Sequence, residues 1–273
     1  MHGPDDGRLT CHEFLAALHD RVAPRTYLEI GVNDGQSLTL SRTTSIGVDP
    51  AFRVTVPIRC DLDLVKATSD EFFARPDPIA HFRRSRRGSD MGSGDGVPGT
   101  TDQVRPVIDL AFIDGLHHFE FALRDFMNVE HHADWWTVIV IDDVLPRNTV
   151  EANRDRQTKQ WAGDVFKLVP VLATHRPDLI VLPVDTSPTG VVLVIGADPA
   201  SHVLRDRYDA IVAEWVVPDP QTVPSATLKR EGAIDAHSLL ESAVWPALVG
   251  GRDRGLPAER GTEIVRHSLA GRV

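Results

Sequence analysis

The sequence predicts an α/β fold: a doubly wound, mostly parallel seven-stranded sheet with helices on both faces and a C-terminal antiparallel hairpin. Three observations predict it. Short apolar runs rich in strand formers alternate with stretches of helical period, as in a sheet whose crossovers are helices. Several runs stop at glycine or aspartate, where the chain must turn. The last two runs, 179–184 and 191–195, are joined only by 185–190 (DTSPTG), which suits a hairpin.

The elements follow in order. Thr10 and Glu13 make a T-x-x-E capping box, and Phe14, Leu15, Leu18 and Val22 then share one helical face until Pro24. Residues 1–25 are thus an N-terminal helical segment. Residues 26–32 (TYLEIGV) form the first strand, which stops at Asn33-Asp34-Gly35, and a short helix follows from Ser37. The second strand is 45–48 (SIGV), ending at Asp49-Pro50; the third, weaker, is 62–68, after a Pro57-bearing segment short for a helical crossover. Thr68 and Glu71 repeat the capping box and open a helix through Phe72 and Phe73. The fourth strand is 107–113 (VIDLAFI), followed by a helix with Phe119, Leu123 and Phe126 on one stripe; the fifth is 137–141 (TVIVI). Val165, Leu168, Val169 and Leu172 have i, i+3, i+4, i+7 spacing, so a helix runs to about His175 before the hairpin.

Residues 26–200 therefore read as one domain. Within it, 83–105 has no apolar period and reads as a flexible loop, either a surface insertion or a lid. The tail, 201–273, is a helical extension in which Leu239, Leu240 and Val244 mark a helix that packs on the domain or on a second copy, leaving a homodimer open.

The 273 residues carry a formal charge of −10, which repels polyphosphate and argues against a nucleic-acid partner. The basic patch, 83–87, falls in the loop. Cys11 and Cys60 show neither metal-ligand spacing nor a disulfide framework. The polar N-terminus has no signal-peptide character, and no apolar run reaches membrane-span length, so the expectation is a cytoplasmic protein without a membrane partner.

Chemistry is expected at the strand ends. In 29–35 (EIGVNDG) a strand meets a helix through glycines that let a ligand approach the backbone. Asn33 and Gln36 occupy the second and third glycine positions of the dinucleotide fingerprint, so a nicotinamide enzyme is poorly supported. Asp49, ending the second strand, can accept both hydroxyls of a ribose, or can simply cap a turn. Ser69 and Asp70 follow the third strand, where a carboxylate can accept from an adenine amino group; a plain helix N-terminus explains them as well. Asp114, Asp142 and Asp143 end the fourth and fifth strands and would converge in one crevice. Like charges so close repel unless a cation neutralises them, and oxygen donors favour Mg2+, Mn2+ or Ca2+; alternatively, some merely cap helices. His117 titrates near neutrality and suits a general base, while His118 would point elsewhere and His131 and His132 read as surface residues. Trp161, Gly163, Asp164 and Lys167 form W-x-G-D-x-x-K, in which Trp161 and Asp164 either hold a hydroxylated substrate or serve packing and a helix cap.

On these residues the E-I-G-V-x-x-G turn, the G-V-D-P strand end, F-I-D-G-x-H-x-x-E and the I-D-D strand end resemble class I S-adenosylmethionine (SAM)-dependent methyltransferases, which are Rossmann-like and end in such a hairpin. The branch they most resemble is the metal-dependent small-molecule O-methyltransferases of macrolide and aminocoumarin sugars and the cephalosporin-hydroxylase-like proteins, over roughly 26–196. The resemblance implies SAM contacts from Glu29, Gly31, Asn33, Gly35, Asp49, Ser69, Asp70 and Asp114, with Mg2+ on Asp114, Asp142 and Asp143. Some relatives carry an aspartate base where this chain has Leu116, which leaves His117 as the substitute. The implied reaction is O-methylation of a hydroxyl on a sugar or other small metabolite, in natural-product biosynthesis. The alternatives are a metal-independent N- or carboxyl methyltransferase and a SAM-binding protein without catalysis.

Overall fold

The computed structural model describes residues 7–83 and 106–270, so the expected loop at 83–105, Arg83 apart, lies outside the described residues. One sheet of eight strands organises the rest, in the order β3-β2-β1-β4-β5-β7-β6-β8. The strands are β1 (Thr26–Ile30), β2 (Thr44–Val48), β3 (Leu62–Val65), β4 (Leu110–Ile113), β5 (Val138–Ile141), β6 (Ile180–Asp185), β7 (Val191–Ile195) and β8 (Ile234–Asp235). β7 runs antiparallel to its neighbours β5 and β6; the other pairings are parallel. The hairpin is therefore present, and seven strands fall where the sequence predicts them. The eighth is an addition from the tail, which is not purely helical. Its two residues pair with Val184 and Asp185, too short a run to show a period.

Strand alternation sorts the core into two layers. Leu28, Ala111, Ile113, Ile139 and Ile141 face α3 (Phe119–His131), α4 (Leu168–His175) and α5 (Val203–Trp215), against Phe119, Leu123, Phe126, Leu168 and Leu204. Tyr27, Leu110, Phe112, Val138 and Val140 face the opposite side, where α1 (Cys11–Val22) supplies Phe14, Leu15 and Leu18. Tail helices α7 (Ala236–Leu240), α8 (Val244–Asp253) and α9 (Ala258–Leu269) complete that layer with Leu239, Trp245, Leu248 and Val265. The tail thus packs on its own domain. Strands β1, β2, β4, β5 and β7 are buried on both faces, which is why they read as continuous apolar runs.

Both capping boxes form, Thr10 opening α1 and Thr68 opening α2 (Ser69–Phe73). The helix expected from Ser37 is one 3-10 turn, Leu38–Leu40. The helix expected from Val165 begins as a 3-10 turn, Val165–Lys167, and continues as α4. The short helix α6 (Ser225–Leu228) leads to β8. Among the described residues no helix is long and apolar enough to cross a membrane.

Candidate functional site

The sheet order reverses at β1: β2 and β3 lie to one side, β4 and β5 to the other. An open α/β sheet leaves a crevice at that point, beyond the carboxyl ends of the strands. A cavity of about 680 Å³ lies there. Gly31 makes it possible: its φ is +92°, and a Cβ on it would lie 1.9 Å from the Asp114 carbonyl oxygen. The glycine is therefore required by the convergence of β1 on the end of β4, besides any approach of a ligand. The next turn aims Asp49. The Asn33 amide donates to its Oδ2 at 2.8 Å and the Ala51 amide to its Oδ1 at 2.6 Å. Each oxygen keeps a lone pair for a vicinal diol.

Gly31, Asn33, Asp49, Ser69, Asp70, Asp114, His117 and Trp161 all line this cavity. Glu29 and Gly35 do not. Glu29 is fully buried and accepts from the Tyr27 hydroxyl at 2.6 Å and the Ser37 hydroxyl at 2.7 Å. Gly35, at φ +84°, turns the chain against the side chains of Val54 and Val56. Asp70 lines the cavity but gives both oxygens to Arg124, at 3.2 and 2.8 Å.

The acidic convergence has a different membership from the one the sequence suggests. The donors that come together are Asp114, His117 and Asp143, each offering a ligand atom within 4.8 Å of the others. His117 Nδ1 lies 2.7 Å from Asp143 Oδ2 and 2.8 Å from the Trp161 carbonyl; its Nε2 lies 3.5 Å from Asp114 Oδ1. Asp143 reaches the cluster because its backbone is left-handed, φ +68°, at the exit of β5. Asp142 stays out: it accepts the Asp143 amide at 2.8 Å and meets the Cys11 thiol. Burial opposes charge on His117, but the hydrogen bond and charge of Asp143, with Asp114, outweigh it and push the ring up to about 9. Burial, then the charge of Asp143, pushes the Asp114 carboxyl up as well. The contact with Asp143 favours the protonated ring, so these partners oppose the free base that the sequence suggests.

Trp161 stacks on His117, ring centroids 5.0 Å apart and planes 5° from parallel, fixing the imidazole plane. Asp164 is away from the cavity and fully buried. It caps α3 instead of its own helix, accepting the Phe119 amide at 2.8 Å, and it binds Arg154 and Lys167, each at 2.8 Å. Gly163 completes the motif: a Cβ there would lie 1.6 Å from the His117 carbonyl oxygen. His118 turns aside to the Arg154 carbonyl.

Three ionisable lining residues escape the sequence reading. Asp125 is a buried acid in mid-helix on α3. Burial pushes its carboxyl up to about 7, with Ser69 and Arg124 opposing the shift and Asp70 adding to it. Arg156 and Lys159 place two cations on an otherwise acidic wall. They belong to an irregular segment whose approach to the cavity no periodicity announces.

No protein-family model matches the chain, and comparison with curated proteins finds no match. Among solved structures it is similar to the O-methyltransferase TomG from Streptomyces achromogenes in complex with SAM, at 16% identity over 67% of this chain and 78% of that one, TM-score 0.42. It is also similar to the O-methyltransferase from Bacillus cereus in complex with SAH, at 15% identity over 71% and 82% of the two chains, TM-score 0.40. The methyltransferase PaMTH1 from Podospora anserina, SAH-bound, gives 14%, 71%, 82% and 0.40 in the same order. At such identities and scores the similarity assigns neither ligand nor reaction to this chain.

Proposed function

We propose that the protein is a SAM-dependent methyltransferase that O-methylates a hydroxyl on a sugar or other small metabolite, in natural-product biosynthesis in the cytoplasm, with help from a divalent cation. The observation that carries this reading is one cavity at the sheet's switch point into which Asp49, Ser69 and the Asp114–His117 pair all open. That combines a diol acceptor at one end with a proton-handling cluster at the other, the layout a nucleoside methyl donor and a hydroxylated acceptor require. SAM, when bound, supplies a sulfonium methyl; a divalent cation supplies Lewis acidity that makes a hydroxyl more acidic.

The chain's residues divide the remaining work. Asp49, oriented by two amides, holds the ribose. Gly31 allows close approach to the backbone at the reacting end. Asp114, His117 and Asp143 would hold the cation; the imidazole in the set admits Mn2+ or Fe2+ as well as Mg2+. Trp161 keeps the imidazole plane fixed and walls one side of the cavity against water. The second Asp114 oxygen, Oδ2, which the contact to His117 leaves free, can take up the proton of an acceptor hydroxyl.

Calorimetry with SAH registers binding under this reading, and a mass-spectrometric screen of hydroxylated metabolites with SAM detects a gain of one methyl. EDTA abolishes turnover and added Mg2+ or Mn2+ restores it. Asp143→Ala lowers turnover by about a hundredfold or more, since removing one charge-stabilising group costs roughly 10²–10³, while SAH affinity stays within about threefold. The 2.7 Å contact between His117 and Asp143 favours one rival, a metal-free enzyme in which the imidazolium itself neutralises the carboxylates. Turnover that resists EDTA yet disappears in His117→Ala selects that rival. SAH binding with no transfer to any acceptor selects a non-catalytic SAM-binding role.

A further inference from the structure

Resting on the SAM reading, we infer that Asp125 is the carboxylate that reads the amino edge of the nucleobase. Two residues compete for that task. Asp70 is the one the sequence offers, yet Arg124 already engages both of its oxygens and its side chain is 47% exposed. Asp125 has the opposite character. It is 3% exposed, it lines the same cavity, and its Oδ1 is buried without a hydrogen-bond partner among the described residues. A buried acceptor without a partner is destabilising, and a ligand donor relieves that cost.

Position narrows the donor. Ser69, at the start of α2, favours the charged form of the carboxyl, which lies under Gly115, whose absent Cβ would sit 3.5 Å from Asp125 Oδ2. With the ribose on Asp49 at the end of β2 and the reacting end at Asp114, the base is left with the wall made by Ser69, Gly115 and Asp125. An exocyclic amine donates to that wall. A ring carrying a carbonyl in its place sets oxygen against oxygen. The ammonium of the methionine part belongs at the opposite end, beside Gly31.

Calorimetric titration with SAH and with S-inosylhomocysteine, which differs only at that edge of the base, tests the assignment. The native chain prefers SAH by tenfold or more, because a site built to receive a donor rejects an analogue lacking it. Asp125→Leu loses tenfold or more in SAH affinity and binds both ligands equally. Asp125→Asn, whose amide both accepts and donates, binds the two within about threefold. Thermal melting of each variant reports the fold, and a variant that only loosened the structure would weaken both ligands by the same factor and keep their ratio. The assignment is overturned if Asp125→Leu binds SAH within twofold of the native chain, or if the native ratio survives in both variants. Absence of SAH binding by the native chain overturns the SAM reading itself, and this assignment with it.

Discussion

Glu29 belongs to the sheet's interior because of strand parity. Tyr27 and Glu29 are two apart on β1 and so share a face, where the phenol and the Ser37 hydroxyl meet the carboxyl; the residues that reach the cavity are Ile30 and Gly31. The sequence made the glycine turn legible but not the direction of the acid before it, since the apolar run reads the same for either face. Burial pushes this carboxyl up to about 8, with the charges of Asp114 and Asp49 adding to burial and its two hydrogen bonds opposing it. The unfolded chain releases that proton near 4.3. Between those values the unfolded state binds fewer protons, so stability falls as pH rises from about 4.3 to about 8 and then levels off. Glu29→Gln removes this contribution. Urea midpoints at pH 5 and pH 8.5 should fall less for the variant than for the native chain, by the equivalent of a few kcal/mol; equal falls would refute it.

At the scale of an element, α3 shows what periodicity reveals and what it conceals. Its stripe of Phe119, Leu123 and Phe126 was legible and is buried as predicted. Asp125 and Glu130 are equally hidden, but in a helical wheel a charged residue reads as solvent-facing, and only the tertiary partner corrects this. For Glu130 that partner is Arg176, just after α4, with exposures of 5% and 1%. Asp164 capping α3 from 45 positions away is concealed for the same reason. Arg176→Ala leaves the Glu130 carboxylate buried and uncompensated and should cost about 3–5 kcal/mol in chemical denaturation. The double variant Arg176→Ala/Glu130→Leu should recover part of that loss, because the stranded charge is gone; a purely additive result would refute the pairing.

For the whole molecule, the tail is as much a part of the fold as the sheet. Trp135, at the entrance to β5, lies against two glycines of the tail: a Cβ on Gly251 would approach its ring to 2.7 Å and one on Gly261 to 2.4 Å. Its indole also donates to the Leu256 carbonyl at 2.9 Å. Gly261→Val therefore overpacks this contact and should destabilise the chain by about 1–3 kcal/mol, with faster proteolytic clipping after Asp253; an unchanged melting temperature would contradict it. The strand ends that build the cavity were readable because each is a local word of a few residues. The seating of α8 and α9 was not, because it depends on a surface that exists only once the sheet has formed. Arg230 carries this interdependence back to the site. It donates to Asp185, to the carbonyls of Thr186 and Pro188, and to that of Leu145, two residues beyond Asp143. Through Leu145, the exit of β5 that carries Asp143 is tied to a guanidinium 85 positions downstream of that carbonyl. Lengthening or shortening the chain between α5 and β8 would pull on that tie without altering a single residue of the cavity.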